Sequence, residues 1–168
     1  MHLDLADLRR AGADADELDK IRPFDPAAPY LRAELALAQA RWDAAESQAG
    51  EATRRLGTAV DRPLEVAIAL VRAAGLNGGG HPREALRVFD EVAPMLDRSR
   101  RALLQIRARV CHLRAQALLG SCPGAAPFQD LLGAAKRLGI PALGRDVERA
   151  GGLLRVKCGT AVYAVRRD

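Results

Sequence analysis

The chain predicts an all-α fold built from antiparallel helix hairpins, with a short C-terminal β tail. Three observations carry this. Hydrophobic residues make up 49% of the chain but aromatics only 4%, and much of the apolar content is alanine and leucine, which favour helix. Valine and isoleucine do not alternate with polar residues until the C-terminus. Small residues recur at fixed places in two helix–turn–helix units. The clearer unit runs Ala73-Ala74-Gly75-Leu76, turns at Asn77-Gly78-Gly79-Gly80-His81-Pro82, and continues from Arg83 to Val92.

Leu3 to Ala11 and Asp14 to Ile21 read as two short helical stretches, the second capped by Asp14 or Asp16. Pro23 and Pro26 break the helix and make 1–26 a lead-in. Ala27 to Ala40 pairs with Trp42 to Leu56, and Arg62 to Leu76 pairs with Pro82 to Leu96. Pro63 and Pro82 sit in first turns, where the missing N–H has no helical partner to lose. Arg98 to Leu119 opens a third pair and ends at Gly120-Ser121-Cys122-Pro123-Gly124. Pro127 to Leu138 is its partner, and Pro141 to Leu154 is an extra helix. Short polar turns between helices of this length imply antiparallel neighbours. The repeat domain is therefore 27–154. Residues 155–168 form the tail: Leu154 to Val165 is rich in β-branched residues at near-alternating spacing, which predicts a strand or a strand pair turning at Gly159-Thr160.

The two clear hairpins resemble the tetratricopeptide repeat, an α-solenoid motif. Ala33 and Ala45, then Ala73 and Ala85, take the small positions where the two helices of a repeat cross closely. Trp42, Leu76 and Phe89 take large flanking positions, and Gly80 sits in the turn. The pattern departs in two ways. Arg32 and Arg72 stand where leucine is common, and Ala45 to Ala85 spans 40 residues where the family uses 34. Residues 98–154 read as a degraded third repeat with a capping helix. The alanine- and arginine-rich texture is also similar to repeats of large bacterial transcription activators.

The resemblance implies a non-catalytic module that binds a protein or peptide in a groove lined by first helices. Tyr30, Glu34, Asn77, Arg100, Arg107 and Arg114 are the groove candidates. The three arginines recur every seven residues beside Leu103, Ile106, Val110 and Leu113, a guanidinium stripe suited to an acidic partner. The same stripe also fits a solvated boundary whose stems cover the core edge. The family's carboxylate-clamp positions hold Tyr30, Glu34, Leu70 and Ala74, so that clamp is missing. Asn77 fits either a groove contact or a helix cap. Two other functional readings stand beside this one: a regulatory segment of a bacterial transcription regulator, and a homodimer paired through the C-terminal strand.

Net charge is +5 and the pI about 9.6, almost all of it arginine, since the lysines are Lys20, Lys136 and Lys157. No long basic run occurs, so the charge reads as solvated faces with Asp and Glu interleaved, and direct nucleic-acid binding is not favoured. The sequence has no apolar stretch of membrane-spanning length and no basic-then-apolar leader, and is expected to be cytoplasmic. Cys111, Cys122 and Cys158 lack zinc spacing and are expected to be reduced thiols. No cofactor or metal set stands out. The glycine run lacks the lysine and hydroxyl residue of a phosphate loop, and no catalytic motif occurs.

Overall fold

A computed structural model describes residues 5–58, 61–98 and 101–159. These form eight helices and no strand: α1 (Leu5–Ile21), α2 (Ala27–Ala38), α3 (Trp42–Leu56), α4 (Arg62–Gly78), α5 (Pro82–Arg98), α6 (Ala102–Leu118), α7 (Ala125–Leu138) and α8 (Pro141–Cys158). Two compact units divide the chain. Met1–His81 holds α1 to α4, and Pro82–Asp168 holds α5 to α8. The two helices read as the second hairpin, α4 and α5, thus belong to different units.

In the first unit α1 packs on α2, α2 on α3, and α3 on α4, and α2 also reaches α4. Small side chains allow this. Ala33, Ala45, Ala49 and Ala52 are fully buried, and with Leu56, Ile68 and Val71 all but Ala45 form one apolar cluster. At Gly75 a Cβ would stand 3.3 Å from the Trp42 carbonyl oxygen and 3.4 Å from the Glu46 nitrogen, so only glycine lets α4 approach the α3 backbone this closely. The Trp42 indole fills the space a Cβ would need at Gly78.

In the second unit α6 is central and packs on α5, α7 and α8, while α7 and α8 pack on each other. Its core is made of larger groups: Ile106, Val110 and Leu113 of α6, Phe128, Leu131 and Leu132 of α7, and Leu143, Val147 and Leu154 of α8. Phe128, Leu131, Val147 and Leu154 have no exposed surface. Burying a side chain of this size contributes about 1.5–3 kcal/mol.

Three turns close in the same way. Ala40, Gly80 and Gly120 have left-handed φ values of 55°, 88° and 73°. The following N–H groups, of Arg41, His81 and Ser121, donate to Ala36, Leu76 and Gln116 at 2.8, 2.8 and 2.9 Å. This is the Schellman closure, in which one left-handed residue lets the chain bond back to a carbonyl five residues earlier. The three left-handed residues are 40 apart in sequence. Two further sets share that interval and are all buried: Ala33, Ala73 and Leu113, and Ala52, Val92 and Leu132.

Several expectations need correction. The N-terminal region is one helix, because Ala11 to Ala13 continue α1 without a break. Leu154 to Cys158 are the last turn of α8, not the start of a strand. Leu143, Val147, Ala150 and Leu154 repeat at helical spacing on the core, and this overrides the β propensity of Val156. Gly159, left-handed at φ 66°, ends that helix. The rest of the expected strand lies outside the described residues. Cys122 and Cys158 are joined in a disulfide, with Cα atoms 5.8 Å apart, and are not reduced thiols; Cys111 is free. Packing of α6 and α7 on α8 carries the α6–α7 turn to the end of α8, a proximity that no spacing in the sequence encodes.

Candidate functional site

The groove candidates among the described residues are divided between the two units. Tyr30 and Glu34 meet on α2, where the Tyr30 hydroxyl donates to Glu34 Oε1 at 2.9 Å in a half-buried setting. Asn77 is only 4% exposed and lies within α4; the left-handed cap falls instead on Gly80. Arg107 and Arg114 are half-buried on α6, in the other unit, and Arg100 lies outside the described residues. Of the apolar edge expected beside the arginine stripe, Ile106, Val110 and Leu113 are buried and only Leu103 departs. Leu103 is 41% exposed, whereas Leu104, Ile106, Ala108, Val110, Leu113, Ala115 and Ala117 are buried. A helix packed by three others buries more than one face, so its single-stripe periodicity is lost.

Arg32, a departure from the repeat pattern, has a specific role. Its Nη1 donates to Asp19 and its Nη2 to Asp16, both at 2.9 Å, tying α2 to α1. Arg55 of α3 donates to the other Asp19 oxygen and to Glu51, the latter at 2.7 Å. Glu51 also accepts from Arg54. Hydrogen bonds from Arg55 and then Arg32 hold the Asp19 carboxyl below its usual range, and those from Arg55 and Arg54 do the same for Glu51. The arrangement fixes three helices and leaves Asp19 saturated by guanidinium groups.

The first unit also carries an open depression of about 600 Å³ between α3 and α4. Asp43, Glu46, Ser47, Gly50 and Thr53 line it from one face of α3, and Arg72 from α4. Arg72 approaches Glu46 loosely, at 4.0 Å. A Cβ at Gly50 would meet nothing within 4 Å. The floor is therefore open rather than packed. The trace of this depression in the sequence is Gly50 at helical spacing from Asp43 and Glu46.

In the second unit Phe89 of α5 stacks on His112 of α6, with ring centroids 4.5 Å apart and planes at 17°. Burial lowers the His112 pKa, opposed by the charge of Asp90. Charge divides unevenly between the units. Residues 82–168 carry 16 Lys and Arg against 8 Asp and Glu, a net of +8, while residues 1–81 carry 10 against 13, a net of −3. Among the described residues no cluster of His, Cys, Asp and Glu could hold a metal ion, and no helix is long and apolar enough to cross a membrane. No family model, curated protein or solved structure matches the chain.

Proposed function

We propose that the chain is a non-catalytic binding module for a protein or peptide, built on divergent tetratricopeptide-like hairpins. The observation that carries this reading is the 40-residue recurrence of one turn geometry at Ala40, Gly80 and Gly120, with buried positions repeating at the same interval. Repeated hairpins of this kind stack through small residues and present long open surfaces to partners. The α3–α4 depression is the surface we assign to the partner. Asp43 to Thr53 covers about 15 Å of helix, enough for several residues of an extended segment. Asp43 and Glu46 favour a basic side chain on that segment, and the Ser47 and Thr53 hydroxyls can bond its backbone.

The test is affinity capture from source cells with the intact chain, compared with Gly50→Tyr. The open floor accepts the new side chain, so the variant keeps its helical signal in circular dichroism while filling the depression. A stoichiometric protein partner retained by the wild type and lost by Gly50→Tyr is the expected result. A partner captured equally by both would remove the depression from the binding surface.

A further inference from the structure

The two sulfurs of the Cys122–Cys158 disulfide differ in their access to solvent. Cys122 is exposed, in the turn between α6 and α7. Cys158 is half-buried at the end of α8 and packs against the core of the second unit. The local sequence holds Cys122 out. Left-handed Gly120 ends α6, and the Ser121 N–H bonds back to the Gln116 carbonyl at 2.9 Å. Pro123 follows Cys122, and the residue before a proline is kept extended rather than helical. Gly120, Ser121 and Gly124 around it are exposed, and none has a side chain large enough to shield its sulfur.

Opening this bond leaves the packing of α8 in place. Leu143, Val147, Ala150 and Leu154 bury that helix in the core it shares with α6 and α7. Beyond Leu154, the side chains of Arg155, Val156 and Lys157 are exposed, and Cys158 is the residue of this last turn that packs on the core. The disulfide is therefore a link at the rim of the unit, and its exchange does not require the core to open. The two segments that meet at the bond, 119–124 and 151–158, contain Arg155 and Lys157 and no Asp or Glu. Cations beside a reactive sulfur attract a thiolate and any carboxylates that accompany it.

We propose that Cys122 is a site of reversible modification by a small acidic thiol of the glutathione class. The incoming thiolate attacks Cys122 Sγ, the accessible sulfur. A new S–S bond forms there, the Cys122–Cys158 bond breaks, and its electron pair leaves on Cys158 as a thiolate. Arg155, three residues earlier on the same side of the helix, and the adjacent Lys157 offset the negative end of α8 beside that charge. One disulfide replaces another, so the step needs no oxidant or reductant besides the small thiol. Cys158 stays packed on the core next to Cys122. It can attack the mixed disulfide in turn, expel the small thiol as its thiolate and restore the original bond. Cys158 is thus the resolving thiol, and its partial burial directs the adduct to Cys122.

The experiment treats the full chain with reduced glutathione and, separately, the reduced chain with oxidised glutathione. Both reactions are stopped by alkylating free thiols. Mass spectrometry then maps each cysteine, while circular dichroism follows the helices. The expected result is glutathione on Cys122, an alkylated Cys158 and an unchanged helical signal. Once free glutathione is removed, the wild type should lose the adduct and close the disulfide, whereas Cys158→Ser should retain it. Glutathione on Cys158 or Cys111 in place of Cys122, or complete reduction with no adduct, would overturn the proposal. So would opening of the bond only together with loss of the helical signal, or an adduct as lasting in the wild type as in Cys158→Ser. These readouts concern thiols of the second unit, so the capture test of the α3–α4 depression is judged separately.

Discussion

The two units close their turns alike and fill their interiors differently. In the first, alanine and glycine line the crossings of α2 and α4 with α3, so these helices approach closely beside the large buried Val66, Ile68, Leu70 and Val71 of α4, and the outer helix is tied on by Asp16, Asp19, Arg32 and Arg55. The second packs branched and aromatic side chains around α6 and fastens the end of α8 with a disulfide. A helix crossing made of small residues has little to lose by truncation and much to lose by growth. An interior of large residues has the opposite sensitivity. The single tryptophan, Trp42, lies on α3 with its indole against Gly78 of α4, so its fluorescence reports the first unit.

The largest effect expected is from Phe128→Ala. It should cost about 3–5 kcal/mol, seen as a lowered transition in denaturant by circular dichroism. A loss under about 1 kcal/mol would mean that the second unit does not depend on its large side chains. Replacing Cys122 and Cys158 with serine comes next. A cross-link spanning 36 residues stabilises by roughly 3–4 kcal/mol in the chain-entropy account. Melts of the wild type with and without reductant should show the same drop, with the Trp42 transition unmoved. A Trp42 transition that shifts with the rest would break the comparison.

The first unit should answer to growth. Gly78→Ala displaces the Trp42 indole, and overpacking of this kind costs about 1–3 kcal/mol, only partly offset by better helix propensity. A red shift and a lower melting point in Trp42 emission would confirm the contact; an unchanged spectrum would deny it. Ala40→Gly should act in the other direction. Ala40 holds a left-handed φ that glycine adopts freely, so the variant should gain about 0.5–1 kcal/mol. Destabilisation there would show that Ala40 is not strained.

Acid should separate the units with the smallest effects. The His112 pKa is lowered from 6.5, so the neutral form is favoured on folding. That contribution is whole above about pH 6.5 and is lost as pH falls through the imidazole's depressed range. Asp19 and Glu51 are lowered from 3.8 and 4.5, so their contribution is whole above the usual carboxylate range and is lost only below it. Stability of the second unit should therefore begin to fall at higher pH than that of the first. His112→Phe should abolish the upper step in a pH titration followed by circular dichroism; persistence of that step would assign it elsewhere.

Most helix boundaries were legible because proline and glycine marked them. Pro26, Pro82 and Pro141 stand at helix starts, and Gly57, Gly80, Gly120 and Gly139 just past helix ends. What was illegible depended on partners distant in sequence. Arg32 looked out of place until α1 supplied its carboxylates. The apolar edge beside the arginine stripe was legible at Ile106, Val110 and Leu113, whereas the burial of Leu104, Ala108, Ala115 and Ala117 arises because α6 has neighbours on several sides. Cys122 and Cys158 meet only because two helices run back along a third. The α3–α4 depression was hidden for the same reason, since Arg72 joins it from the next helix.

The recurring turn also divides the chain into lengths that begin and end on the same backbone conformation. The segment Arg41–Gly80 starts just after one left-handed residue and ends on the next, and the segment from His81 to Gly120 does the same. A copy of either inserted at its own boundary would meet the chain in a backbone conformation already present on both sides. Each segment carries one packed helix pair, α3 with α4 and α5 with α6, so the backbone conformation at its two ends is the same although its side chains are not.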